Sequence, residues 1–156
     1  MFKPIYQILI IVSVAIGLLQ SEPSSAHSIE SIISGEHRSD SNKARDPYRH
    51  PKQTLEFFGL QEDMTVVEIW PSGGWYAEII APYLNESGQY ISAGYDPNDE
   101  ISYFRTSAVK FMERLNQDPD LYSNVQHTIL KLPDRIEIAE PNSVDMVMTF
   151  RNIHNW

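Results

Sequence analysis

Residues 66–77 constrain the fold more than any other stretch. Val66, Val67 and Ile69 are apolar and enclose one carboxylate, Glu68. Trp70, Pro71, Ser72, Gly73 and Gly74 make a turn, and Trp75, Tyr76 and Ala77 can open a helix. A strand–turn–helix of this kind aims backbone N–H groups and a helix N-terminus at whatever sits above the strand. A second acidic strand end, Asp96, follows Tyr90, Ile91, Ser92, Ala93, Gly94 and Tyr95. Two acidic strand ends flanking a glycine turn read as a nucleoside-binding crevice in an open α/β sheet.

The neighbouring segments keep the alternation going. Residues 65–70 are apolar almost throughout, as a buried parallel strand requires. Residues 75–84 follow as a helix, with Pro82 in its closing turn. Asn85, Glu86, Ser87 and Gly88 form a turn, and residues 89–95 a second strand. Ile101, Phe104, Ala108, Phe111 and Leu115 recur at helical spacing, which predicts a helix over 100–115. Residues 125–130 and 144–150 are the third and fourth strands. Strands alternating with helices predict a parallel sheet with right-handed crossovers. Upstream, Pro51 can open a helix to which Thr54, Leu55, Phe57 and Phe58 give an apolar face, and Gly59 ends it.

The N-terminus has a different character. Lys3 precedes a mostly apolar run over 5–19, and Ser24, Ser25 and Ala26 are small. That is the pattern of a signal peptide over residues 1–26. The apolar run is short for a span of about 20 residues. The expectation is therefore an exported protein, periplasmic or secreted, with no membrane attachment after cleavage; the alternative is that the segment is retained as an N-terminal membrane anchor. Absence of Cys excludes disulfides, thiolate metal sites and a Cys nucleophile. The chain has 12 basic and 21 acidic residues, a net charge of −9. Such a balance argues against nucleic acid as the main partner. About 130 residues remain after cleavage, enough for one domain. Residues 27–44 are polar and are expected as a flexible arm, with Ile29, Ile32 and Ile33 in a short helix. Residues 45–156 are expected as the domain. Little chain follows the fourth strand, although a strand so apolar should be covered on both sides. The expectation is a piece of a longer protein, with self-association through the uncovered fourth strand.

Several side chains bear on chemistry. A carboxylate at the end of a buried strand is unfavourable unless satisfied. Glu68 either caps the turn N–H groups or helps hold a cationic or amine-bearing ligand. Asp96 either accepts both hydroxyls of a ribose or shapes a turn before Pro97. Arg151, Asn152 and His154 follow the fourth strand at the carboxyl edge, where ligands sit in such sheets. They are the candidate catalytic residues, with His154 a possible general base or a loop histidine bound to backbone. Tyr48, Arg49 and His50 either close over a ligand or clamp the arm to the sheet. The five histidines lack paired metal-ligand spacing, so no metal is expected.

This arrangement resembles the class I S-adenosylmethionine-dependent methyltransferases, where an acid leads a glycine loop after strand one and a second acid ends strand two. More narrowly, the chain resembles a group of exported bacterial predicted methyltransferases. The residues carrying that likeness are Arg45, Asp46, Pro47, Tyr48, Arg49, His50 and Pro51, then 54–58, 66–84 and 149–156. The resemblance implies a Rossmann-like, mostly parallel sheet with flanking helices, about four strands here against seven in a complete one. It implies S-adenosylmethionine as cofactor, with Ser72, Gly73 and Gly74 against its methionine part, Glu68 beneath the loop and Asp96 at the ribose. The acceptor is unknown. Two features depart from the family pattern. Trp70 and Ser72 stand where glycines are usual, and Leu130, Lys131, Leu132 and Pro133 replace an acid often seen after strand three. Two other readings remain open: a non-catalytic binding or interaction module on the same fold, and a nicotinamide dinucleotide domain whose fingerprint lacks its first glycine.

Overall fold

A computed structural model of the chain describes residues 28–155. Residues 1–26, expected from the sequence to be a signal peptide, lie outside the described residues. Six α-helices and four strands follow one another: α1 (Ile29–Ser34), α2 (Asp40–Lys43), α3 (Asp46–Arg49), α4 (Pro51–Phe58), β1 (Thr65–Ile69), α5 (Ala77–Leu84), β2 (Gln89–Gly94), α6 (Ser102–Leu115), β3 (Val125–Ile129) and β4 (Met146–Thr149). A single 3-10 turn, Ile153–Asn155, follows β4.

The four strands form one parallel sheet in the order β3-β2-β1-β4. Glu68 sits opposite Ser92 on one side and Met148 on the other. Strand alternation sends Val66 and Glu68 to one face and Val67 and Ile69 to the other. The first face packs against the helices: Val66, Tyr90 and Met148 join Ile79, Ile80 and Leu84 of α5 and Phe111 of α6 in the main core. The second face, Val67, Ile91 and Ala93, is covered by Ile138, Ala139 and Val144 from the β3–β4 connection. This division follows from crossover handedness. Two right-handed crossovers moving one way along the sheet put α5 and α6 on one face, and the return to β4 must run over the other. The expected α/β parallel sheet with flanking helices is what the chain forms.

Helix α5 has almost no polar side. Ala77 to Pro82 and Leu84 are all buried, because the sheet lies beneath the helix, α1 packs against it and Arg114 of α6 reaches its Glu78. Burying an aliphatic side chain such as Ile79, Ile80 or Leu84 contributes about 2 kcal/mol. Pro82 stands inside the last turn of this helix, with Asn85 as the cap.

Two expectations are corrected. Residues 28–44 are not a loose arm. Ser28 and Ser39 cap α1 and α2 through their hydroxyls, Ile32 enters the core, and Arg38 and Asn42 are buried. What fastens the segment is a set of polar bonds centred on Glu78 of α5. Its Oε2 accepts from Asn42 at 2.9 Å and lies 3.7 Å from Arg38 Nε, and Arg114 pairs with Oε1. In α4 only Pro51 and Leu55 face inward, one turn apart, while Phe57 and Phe58 point out. Helical period separates Leu55 from Phe57 by more than a right angle, so they cannot share a buried stripe.

Candidate functional site

The strand order reverses direction between β1 and β4, and ligands in open α/β sheets bind above such a switch point. A cleft of about 260 Å³ lies there. Glu68, Trp70, Pro71, Ser72, Gly73, Trp75 and Tyr76 line it from β1 and the following turn. Phe150, Arg151 and Asn152 line it from the end of β4, and Asn42, Arg45 and Arg49 from the N-terminal segment. Tertiary structure thus brings six of the sequence-derived candidates together: Glu68, Ser72, Gly73, Arg49, Arg151 and Asn152.

Glu68 is buried and contributes to the cleft floor. Tyr90 donates its hydroxyl to Glu68 Oε2 at 2.5 Å. Burial pushes the carboxyl up to about 7, and the Tyr90 bond only partly opposes it. Tyr90 is pushed up by the same burial and by the neighbouring carboxylate. The carboxyl therefore hydrogen-bonds across β1 and β2 rather than capping the turn. The floor continues through Tyr76, whose ring stacks on Phe150 with centroids 3.5 Å apart.

The turn is held in an unusual backbone conformation. Trp70 has φ 49°, Ser72 φ 52° and Gly74 φ 73°. A left-handed conformation costs a non-glycine residue about 1 kcal/mol, so Trp70 and Ser72 occupy positions that favour glycine. Trp70 is anchored elsewhere: its N–H donates to Ala93 O, and its indole stacks on Tyr95 and donates to Leu130 O at 3.3 Å. The indole thus lies across the carboxyl ends of β2 and β3. Gly74 does not line the cleft. A Cβ there would meet the Phe111 ring at 3.2 Å, so this glycine admits α6 rather than a ligand. Gly73, by contrast, has open space above it. Gly74→Ala should lower stability by about 2 kcal/mol and Gly73→Ala by less than about 0.5 kcal/mol. Urea midpoints of the two variants check this contrast, and equal losses would mean the turn is built differently.

Asn152 is buried and works on the backbone. Its Nδ2 donates to Ile69 O at 3.1 Å and Trp70 O at 3.3 Å, and contacts Thr149 Oγ1 at 3.2 Å. It binds the end of β4 to the turn after β1. His154 is exposed and does not line the cleft. Tyr48 is 85% exposed, and His50, with φ 47°, joins α3 to α4; neither reaches the cleft. Asp96 stands past the end of β2 and outside the cleft. Its Oδ1 accepts the Asn98 N–H at 2.8 Å, and its Oδ2 pairs with Arg135 at 2.9 Å.

Sequence reasoning passed over Arg45, Asn42 and the placement of Trp75. Trp75 donates its indole N–H to Asn42 O at 2.9 Å, and the Arg49 guanidinium lies 4.6 Å above its ring centroid. One signal was available: Arg45 and Arg49 are four apart, the spacing that brings two side chains to one side of a helical turn.

Fold and cleft define an α/β protein with a Rossmann-like parallel sheet whose candidate site lies at the switch point between β1 and β4. No family model, curated protein or solved structure matches the chain.

Proposed function

We propose that the chain is a methyltransferase-like domain that binds S-adenosylmethionine and serves transfer of its methyl group to an acceptor. The observation that carries this reading is the cleft at the switch point, with the small-residue turn on one wall and the end of β4 on the other. Backbone at Ser72 and Gly73 is open to the cleft and suits the amino-acid end of the cofactor. Glu68 below it offers a carboxyl that changes charge near neutrality. The resemblance puts the ribose at Asp96, beyond the cleft and past the end of β2. Ribose hydroxyls would replace the Arg135 guanidinium at Asp96 Oδ2, a pair exposed at its arginine end that contributes little.

Bound S-adenosylmethionine supplies a methyl group on a sulfonium. The chain's residues then have to align acceptor and methyl and keep water out, since in-line displacement depends chiefly on geometry. Asn152 fixes the β4 end against the turn, and the stacked Tyr76 and Phe150 rings give the cleft a rigid apolar floor. His154 is not required as a base in this arrangement.

Calorimetric titration of the purified chain with S-adenosylmethionine and, separately, NAD tests the proposal. Saturable binding of the first alone is the expected result. Preference for NAD overturns it in favour of a dinucleotide domain, and silence toward both favours a binding module.

A further inference from the structure

The chain carries a net charge of −9, yet its cleft is lined by three arginines and a single carboxyl. Arg45 and Arg49 bracket α3, and Arg151 follows β4. The remaining arginines among the described residues are engaged. Arg38 pairs with Asp46 and Glu78, Arg114 with Glu78 and Arg135 with Asp96, while Arg105 donates to the carbonyls of Asp99 and Glu100. Arg45, Arg49 and Arg151 have no carboxylate within ion-pair distance among the described residues. Asp46 is nearby, but both its oxygens are taken by Arg38, at 2.6 and 2.9 Å.

Gathering like charges is unfavourable in itself. Burial, followed by the charges of Arg45 and Arg151, holds Arg49 below the usual arginine range. Two further features show that the cluster is positioned. The Arg49 guanidinium is seated over the Trp75 ring, which fixes its plane and leaves its N–H edge available. Arg151 is held at φ 61°, a conformation unfavourable for any side chain larger than glycine. Planar guanidinium forks match the geometry of carboxylate and phosphate oxygens.

We infer that this cleft is an anion site in which Arg45, Arg49 and Arg151 hold a carboxylate or phosphate group of the compound on which the protein acts. Naming that compound as the methyl acceptor rests on the function proposed above; the anion site itself does not. The acceptor then carries a negative group that anchors it beside the turn, and neutral analogues lacking that group are rejected because the guanidinium groups are left unmatched.

Calorimetric titration of the full chain with inorganic phosphate, and separately with malonate, at low ionic strength tests the site. Saturable binding to one site is expected, and the tighter probe shows whether phosphate or carboxylate is the natural group. Arg49→Gln, and the double variant Arg45→Gln with Arg151→Gln, should each weaken it about tenfold or more. Arg45 and Arg151 are exposed, so the double variant should keep the native urea midpoint and separates lost binding from lost folding. Arg135→Gln, outside the cleft, should bind as the native chain does. Absence of saturable binding, or equal binding by all variants, overturns the site. Repeating the phosphate titration at saturating S-adenosylmethionine tests the acceptor assignment. Retained binding supports a separate seat, whereas displacement means the arginines hold the cofactor's own carboxylate and overturns that assignment. Phosphate binding by a chain that ignores S-adenosylmethionine supports the anion site while the proposed methyl transfer fails.

Discussion

Replacing Arg38 by methionine lowers the stability of the chain by about 3 kcal/mol. The Arg38 side chain has no solvent exposure. Its guanidinium donates to both carboxylate oxygens of Asp46 and to Ile33 O at 2.7 Å. Methionine fills much of the same volume and makes none of these bonds. Asp46, only 18% exposed, then keeps a charge without its partner. Glu78, at 3% exposure, keeps Arg114 and Asn42 but loses a neighbouring cation. Urea unfolding followed by circular dichroism measures the loss. Arg135→Gln is the control, because its pair with Asp96 is exposed at the arginine end and contributes less than about 0.5 kcal/mol. Equal losses in the two variants would mean that the buried network does not hold residues 28–49 in place. That segment carries Arg45 and Arg49 to the cleft, so its attachment links stability to the candidate site.

Glu68→Gln should leave the chain as stable as the native one at pH 4 and more stable by about 3 kcal/mol at pH 8. The sign follows from proton counts. Unfolded, the carboxyl ionises near 4.5; folded, burial holds it protonated to about 7. Between those values the folded state binds the additional proton, so native stability falls as pH rises through this window and levels off above it. Glutamine keeps an acceptor for the Tyr90 hydroxyl and removes the titration. Urea unfolding of both chains at several pH values measures the gap. A gap that stays constant from pH 4 to pH 8 would sink the idea that Glu68 is desolvated in the folded chain. A destabilising carboxyl in the wall of a cleft is the kind of residue that function rather than folding retains.

Local signals were readable because they depend on neighbours in the chain. The switch from strand to helical spacing around Trp70 to Gly74 located β1 and α5, and the stripe through Ala108 and Phe111 located α6. The turn chemistry was partly visible as well: Ser72 stands where glycine is favoured, and it adopts a positive φ. Phe57 and Phe58 misled because hydrophobicity alone does not say which side of a short helix is covered. Asp96 looked like an open acceptor because its partner, Arg135, belongs to the connection after β3. Residues 28–44 looked loose because, beyond the short Ile29, Ile32 and Ile33 stripe, their fixing contacts are buried polar ones, from Arg38 to Asp46 and from Asn42 to Glu78, that leave no apolar period.

The alternation of elements, the parallel α/β class and the strand end carrying Glu68 were determined by the sequence itself, since periodicity and turn residues act over a few positions. Only the tertiary structure decided that Arg45, Arg49 and Arg151 share one cleft, that Asp96 lies outside it, and that Glu68 is desolvated. Those properties depend on burial and on charges brought together from distant segments, which exist only once the sheet has formed and the N-terminal segment has packed beside the cleft.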